Sequence, residues 1–454
     1  MLRLTILGPI WDEICRSFAA EPSSEEGGFY LARSTATSSG ILVSIDRSVP
    51  PPDAGKWRLQ NFGQLAPTTA YMSRAAGMAD RERRIPVFIH NHPGGPARFS
   101  ETDEWAFESW EPFFRDTCST AGFVAVVVAG RSLVADLWVD GVRAPFHSVS
   151  CGGQSPRHSF RQSSDLGDDD GTRQQLFWKE VGQQRLKTAR VAIVGVGGTG
   201  SACAIQLART GIGGLVLVDP DAADTTNLNR LYGLSSLQAS AGAPKVEVVR
   251  DRISGVSRTE VVPIRKSVLD PSVLPSLLDC DLILVCTDSD GSRALVNQIP
   301  SVYGTPVVDV GCKGESSQGE VLAMWSDVRR LESGGPCLWC MGVLDAAKIA
   351  SESFPGNTRE NAVRDDYYQG GGAEPSTIGM TTLGATFASI QAVSRILDQD
   401  TVWPTEYLFD LWTATVHVPG VVKRMDCVCG TNRWEPTILD PAALRTLFAD
   451  LEVG

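Results

Sequence analysis

Short apolar runs separated by turn residues mark the first third of the chain. The runs Gly40–Asp46 (GILVSID), Val87–His90 (VFIH), Gly122–Gly130 (GFVAVVVAG) and Ser132–Val139 (SLVADLWV) have the length and β-branched content of strands. With two helical stretches among them they predict a small α+β domain over residues 1–147. From Ser148 to Thr172 the chain is rich in Ser, Gly and Asp with little to bury, which predicts a linker. Beyond it, RVAIVGVGGTGSACAIQLARTGIGGLVLVDPD runs strand, glycine turn, helix, strand, and DLILVCTD and TPVVDVG are short strands ending in small or acidic residues. This order predicts an α/β domain with a mainly parallel sheet over residues 173–454. No internal repeat is evident.

At 454 residues the chain is too long for one ordinary core, in keeping with two domains, and 43% hydrophobic with 21% charged residues is a globular composition. The 41 basic and 53 acidic residues leave a net charge of -12, which repels phosphate backbones and anionic membranes, so neither nucleic acid nor membrane is expected as a partner. No apolar run reaches the length of a membrane span, and the start breaks at Pro9 before a signal-like core develops; the cytoplasm is the expected compartment. Eleven scattered cysteines argue against a disulfide framework and for reduced thiols, some of them metal ligands.

Only five histidines occur, and two of them, His90 and His92, are one residue apart at the end of PVFIHNH. In a strand, residues i and i+2 face the same side, so both imidazoles point to one place. The chain then turns at PGGPA, and Ser100 opens a helix carrying Asp103 in its first turn. Two histidines and a carboxylate leave the fourth tetrahedral position of a catalytic zinc open. Ser100 and Asp103 also form S-x-x-D, an N-cap pattern that needs no metal, although capping does not call for the paired histidines.

These residues resemble the JAMM (MPN, or Mov34/PAD) metalloproteases, whose signature H-x-H, seven residues, S, two residues, D is matched at His90, His92, Ser100 and Asp103. The family carries an upstream glutamate in an E-x-G-G context, and SEEGGFYLA supplies it. The resemblance implies a cytidine-deaminase-like fold, zinc on His90, His92 and Asp103, Glu25 (with Glu26 as the other register) as general base, and Ser100 as hydrogen-bond donor to the oxyanion. It further implies cleavage after the C-terminal tail of a ubiquitin-like protein.

In the second domain Gly195, Gly197 and Gly200 form G-x-G-x-x-G between a strand and a helix, a turn that brings backbone close to phosphates. By itself it also suits a nicotinamide dinucleotide, with Asp219 ending the next strand. Arg230, Lys245 and Asp288 add two cations and a carboxylate at strand ends, which suits a triphosphate with magnesium.

From Arg173 to Asn432 the chain resembles the ThiF/MoeB/HesA adenylating enzymes, relatives of the ubiquitin-activating enzymes. The resemblance implies a Rossmann-like fold in which Gly195, Gly197, Gly198, Gly200, Asp219 and Asp221 hold ATP. It also places Asn227, Arg230 and Lys245 on the phosphates, Asp288 beside Mg2+, and Arg173 on the ATP of a second subunit in a homodimer. The implied chemistry is attack of a protein's C-terminal carboxylate on the α-phosphorus of ATP. Cys337 and Cys340 in C-x-x-C, with Cys427 and Cys429, match places where the family often carries four zinc thiolates, but the second pair here is C-x-C, one residue short.

Relatives that pass their substrate to a thiol often carry a reactive cysteine between the first pair and the last apolar helix, and Tyr367–Phe387 contains none. Cys312, beside Lys313, is the remaining candidate, with a small buried hydrophobe as the alternative.

Together these features predict one chain that cleaves after, and adenylates, a ubiquitin-like C-terminus, with a separate conjugating enzyme as a further partner. The alternatives are activation of a sulfur-carrier protein for thiocarboxylate formation, and a nucleotide-binding scaffold without turnover.

Overall fold

The computed structural model describes residues 1–20, 23–61, 64–120, 122–152, 159–161, 172–352, 375–398, 403–431 and 439–452. Much of the expected linker, Asn432 at the end of the ThiF-like resemblance and the first part of Tyr367–Phe387 lie outside the described residues. The chain divides into two compact units, residues 1–162 with 301–304 and 435–454, and residues 163–300 with 305–434.

Among the described residues the first unit is built on a nine-stranded sheet in the order Ser159–Arg161, Ser148–Cys151, Leu2–Ile6, Gly40–Ser48, Gly27–Thr37, Ile85–Asn91, Gly122–Ala129, Ser132–Val139, Val142–Pro145. Leu2–Ile6 runs parallel to both neighbours and Ile85–Asn91 parallel to Gly122–Ala129; the other pairings are antiparallel. Both faces are covered, which is why the central strands read as unbroken apolar runs. Leu4, Ile6, Val43, Val87 and Ile89 belong to an aliphatic core, while Phe29, Phe88, Phe107, Phe114, Phe123 and Trp138 belong to an aromatic one. His90 alternates with Ile89 and so falls on the aromatic side.

Three features depart from the sequence reading. Among the described residues of 1–147 there are three helices, Gly8–Ala20, Thr69–Glu82 and Glu101–Thr117, where two were expected. The first is disguised by Pro9, which its first turn tolerates because the missing N–H has no intrahelical partner there. The expected linker begins too early: Ser148–Cys151 is a strand that sets Val149 opposite Leu4 and Cys151 opposite Ile6, with both side chains buried. Finally, the expected second domain does not run to residue 454. The helix Pro441–Glu452 belongs to the first unit, where Leu444 and Phe448 join the aliphatic core, and Leu439 N donates to Ser34 O at 2.9 Å.

The second unit has eight strands in the order Glu260–Ile264, Gly214–Val218, Arg190–Val194, Leu282–Val285, Val307–Ser317, Glu320–Leu331, Glu406–Asp410, Thr415–His417. The first five run parallel, as a strand-helix-strand order dictates, and the last three are added antiparallel. Helices Gly198–Thr210 and Ile378–Ile396 pack together, and Cys203 Sγ lies 3.7 Å from Ala385 O. A polar cluster is buried where the sheet turns antiparallel: Asp309 pairs with Arg293 at 3.1 Å and Arg329 at 3.2 Å, and Arg329 also reaches Asp327 at 2.9 Å and Glu406 at 2.7 Å. Among the described residues no helix is long and apolar enough to cross a membrane.

Phe448→Ala removes a ring from the first unit's core and is expected to destabilise that unit by about 3–5 kcal/mol. Chemical denaturation followed by the first unit's tryptophans measures this; a loss below about 1 kcal/mol would contradict the docking of this helix.

Candidate active sites

The strand Ile85–Asn91 presents His90, and the chain carries His92 just beyond it toward the helix Glu101–Thr117. That helix starts with a capping box: Asp103 N donates to Ser100 Oγ at 3.2 Å and Ser100 N to Asp103 Oδ2 at 2.8 Å. The box fixes the Asp103 carboxylate against both imidazoles. His90 Nε2 lies 3.0 Å from Asp103 Oδ1, His92 Nε2 3.2 Å from Oδ2, and the two Nε2 atoms 3.1 Å apart.

A tetrahedral ion with bonds of about 2.0–2.1 Å sets its ligand atoms about 3.3–3.4 Å apart, so this donor set fits zinc with little adjustment. The capping and the ligand readings of S-x-x-D are therefore compatible: one carboxylate serves the helix start and faces the histidines. His90 is buried with no partner at Nδ1, and burial favours its neutral, ligating form. The hydrogen bond to Asp103 raises His92 against the opposing effect of burial. Burial pushes the Asp103 carboxyl up, but hydrogen bonds from His90 and His92 outweigh it and hold the group well below the usual carboxylate range.

Glu25 Oε1 stands 4.0 Å from His92 Nε2. Its pKa is pushed up to about 6, by burial first; the nearby Asp103 adds to this and His92 opposes it. Glu26 faces elsewhere: its carboxylate is held by Lys56 at 2.9 Å and Gln60 at 2.8 Å. The structure thus brings Glu25, not Glu26, to the histidines. Ser100 Oγ donates to Asp103 Oδ2 at 2.7 Å.

In the second unit the glycine turn is set by sterics. Gly195 has φ +86°, and a side chain there would meet the Cys286 carbonyl at 2.8 Å. A Cβ on Gly200 would lie 1.9 Å from Gly195 O. Gly197 caps the helix Gly198–Thr210 without a side chain, leaving its first N–H groups available to an anion. Asp219 accepts from Val196 N at 2.6 Å and Asp221 N at 2.9 Å, tying the turn to the end of the next strand; burial raises its pKa against these bonds.

The cations sit around this turn. The Arg230 stem packs over Gly198, whose Cβ would meet Arg230 Cγ at 3.1 Å, and its guanidinium donates to Thr226 O at 2.7 Å. Lys245 pairs with Asp221 at 2.7 Å, so any anion drawn to this lysine would compete with that carboxylate. Asn227 is buried in a second capping box with Asp224. Asp288 is exposed just past the strand Leu282–Val285, neighbour of Arg190–Val194. Arg173 stands exposed in the first turn of Thr172–Thr188, a helix kinked at Lys179 (φ 56°, ψ -177°).

The four cysteines meet. Cys337 Sγ lies 3.8 Å from Cys340 and 3.5 Å from Cys427, and Cys340 lies 3.6 Å from Cys429. Zinc–sulfur bonds of about 2.3 Å require sulfurs about 3.8 Å apart, so the short C-x-C still brings its thiols to separations that zinc would accept. Cys312 is not activated by its neighbour: Lys313 pairs with Glu315 at 3.0 Å, and burial raises the thiol against hydrogen bonds with Ser326 and Thr199. The sequence missed the Lys245–Asp221 pair and the Asp219 backbone bonds, since neither follows from spacing.

Residues 172–431 match the model of the ThiF family, and residues 9–138 match that of prokaryotic homologs of the JAB domain. The first match covers over half of the chain, which belongs to the ThiF family and carries a JAB-like domain ahead of the ThiF part.

The chain is 33% identical over 163 residues to the adenylyltransferase and sulfurtransferase uba4 of Neosartorya fischeri, covering 35% of this chain and 31% of that relative. It is 32% identical over 170 residues to the molybdopterin-synthase adenylyltransferase of Escherichia coli K12, covering 36% and 62%. The chain thus spans about a third of the length of the fungal relative and less than two thirds of the bacterial one. Among solved structures, E. coli MccB is 18% identical with a TM-score of 0.47, covering 60% of this chain and 75% of that one.

Gly200→Ala drives a methyl into Gly195 O and is expected to weaken ATP binding at least tenfold, or to cost about 2–3 kcal/mol of stability. Calorimetric titration with ATP and thermal melts measure both; wild-type values in both would contradict the close approach.

Proposed function

We propose that the chain is a bifunctional enzyme of a bacterial-type ubiquitin-like pathway. Its JAB-like unit cleaves peptide or isopeptide bonds after the C-terminal tail of a ubiquitin-like protein, and its ThiF unit adenylates that carboxylate. The observation that carries the reading is the convergence of His90, His92 and Asp103 beside the buried Glu25, in a chain whose other unit is of the ThiF family. Cutting after a tail and activating the same tail act on the same atoms, which gives one chain a reason to hold both sites.

In the first unit His90, His92 and Asp103 would hold zinc, as their separations fit. When bound, zinc supplies a Lewis acid that makes water nucleophilic near neutral pH. Glu25, with a pKa near 6, takes the proton from the attacking water and returns it to the leaving amine. Ser100 turns its hydroxyl from Asp103 to the oxyanion. Cys337, Cys340, Cys427 and Cys429 would hold a second, structural zinc.

In the second unit the partner's carboxylate attacks the α-phosphorus of ATP, the Pα–O bond to the β-phosphate breaks, and pyrophosphate leaves. Alignment and charge neutralisation suffice for this. The Gly197–Gly200 turn presents its N–H groups, Arg230 and Lys245 offset phosphate charge, Asp219 and Asp221 shape the nucleotide seat, and Asp288 would accompany Mg2+. Arg173, beside the exposed Leu176 and Phe177, supports a homodimer in which this segment reaches the second copy. A second reading, activation of a sulfur-carrier protein, is favoured by the names of the curated relatives; a thiocarboxylate product would select it.

Two variants separate the sites. His92→Ala is expected to lower cleavage at least 1,000-fold and to spare pyrophosphate exchange, while Asp288→Ala does the reverse. Loss of both activities in either variant would sink the two-site reading. Elemental analysis should find two zinc ions per wild-type chain, with one lost in His92→Ala and the other in Cys340→Ser; a full complement in either variant would contradict its assignment.

A further inference from the structure

We infer that Glu352 is a positioning residue for Asp288, acting from outside the nucleotide seat; this rests on the reading of Asp288 given above. The loop between Leu282–Val285 and the short helix Asp290–Val296 carries Asp288. On one side it is fixed by the Gly195 turn, which packs on the Cys286 carbonyl, and by Cys286 N, which donates to Val194 O at 2.7 Å. On the other side it meets the helix Ala346–Glu352.

The Glu352 carboxylate accepts three hydrogen bonds from the residues that follow Asp288. Oε2 accepts from Ser289 Oγ at 2.7 Å and Gly291 N at 2.9 Å, and Oε1 from Asp290 N at 3.1 Å. Gly291 allows the approach, since a Cβ there would stand 3.1 Å from Glu352 Oε2. One turn earlier, Lys348 Nζ pairs with Asp290 Oδ1 at 3.1 Å and donates to Asp288 O at 3.4 Å. The lysine thus grips the backbone of Asp288 and the side chain of Asp290, and the Asp288 carboxylate is left exposed.

This is more than an ordinary helix cap. Ser289 Oγ already caps the helix by accepting from Ser292 N at 3.1 Å, and Glu352 adds a carboxylate that orders the loop from beneath. An amide cannot replace it: wherever the Gln NH2 is placed, a donor faces a donor. Loosening the loop lets the Asp288 carboxylate wander, and the energy lost is that of its contact with the metal–nucleotide complex.

Calorimetric titration of the full chain with ATP, in Mg2+-free buffer and with Mg2+, tests this. Glu352→Gln is expected to weaken binding of ATP with Mg2+ about tenfold, to leave metal-free ATP affinity within about twofold, and to add nothing in the Asp288→Asn background. Equal losses with and without Mg2+, no loss, or a full additive loss on top of Asp288→Asn would overturn the inference. If Glu352→Gln does not fold, Ser289→Ala, which removes one of the three bonds, should move the same way and vanish in the same background; additivity would overturn it. If Asp288→Asn itself leaves the Mg2+ dependence unchanged, the reading of Asp288 falls first and the inference with it.

Discussion

The second unit depends on one close approach, that of the Gly195 turn to the carbonyl of Cys286. Two neighbouring parallel strands, Arg190–Val194 and Leu282–Val285, end at the same edge, and only a residue without Cβ lets their loops touch there. From that contact follow the direction of the helix Gly198–Thr210, the bond from Val196 N by which Asp219 holds the turn, and the place of the Asp288 loop. Arg230 packs over Gly198 and Lys245 pairs with Asp221, so these charges are arranged around a backbone fixed by sterics.

The first unit solves a different problem, bringing two imidazoles and a carboxylate to one point with few constraints. Period-two alternation sends His90 to the aromatic side of the sheet, and a capping box sends Asp103 to meet it. The Glu25–Glu26 peptide is clamped as well: Asn91, between the histidines, accepts from Glu26 N at 2.7 Å and donates its own N–H to Glu26 O at 3.0 Å. Lys56 and Gln60 hold the Glu26 carboxylate away, which leaves Glu25 facing His92.

Much of this was legible in the sequence because the decisive residues are local. H-x-H with S-x-x-D, and the glycine turn after an apolar strand, each sit within a short window where period and turn chemistry fix geometry. The roles came from resemblance, and so did the pairing of C-x-x-C with C-x-C, since 87 positions part Cys340 from Cys427 in the numbering of the chain and spacing alone does not join them. What stayed hidden is long-range. An amphipathic helix such as Pro441–Glu452 declares that it has a core to join, without saying which. Burial raises the Cys312 thiol and Glu315 draws Lys313 away, facts that adjacency in sequence conceals. Glu352, held to the residues after Asp288 from some sixty positions on, carries no motif at all.

The proposed role of the glycine turn is chemistry on a partner's C-terminal carboxylate. It is tested most directly by exchange of labelled pyrophosphate into ATP in the presence of a candidate ubiquitin-like protein, compared with the same protein amidated at its C-terminus. Exchange is expected only with the free carboxylate. Bound ATP with Mg2+ and no exchange, or equal exchange with the amidated protein, would contradict it.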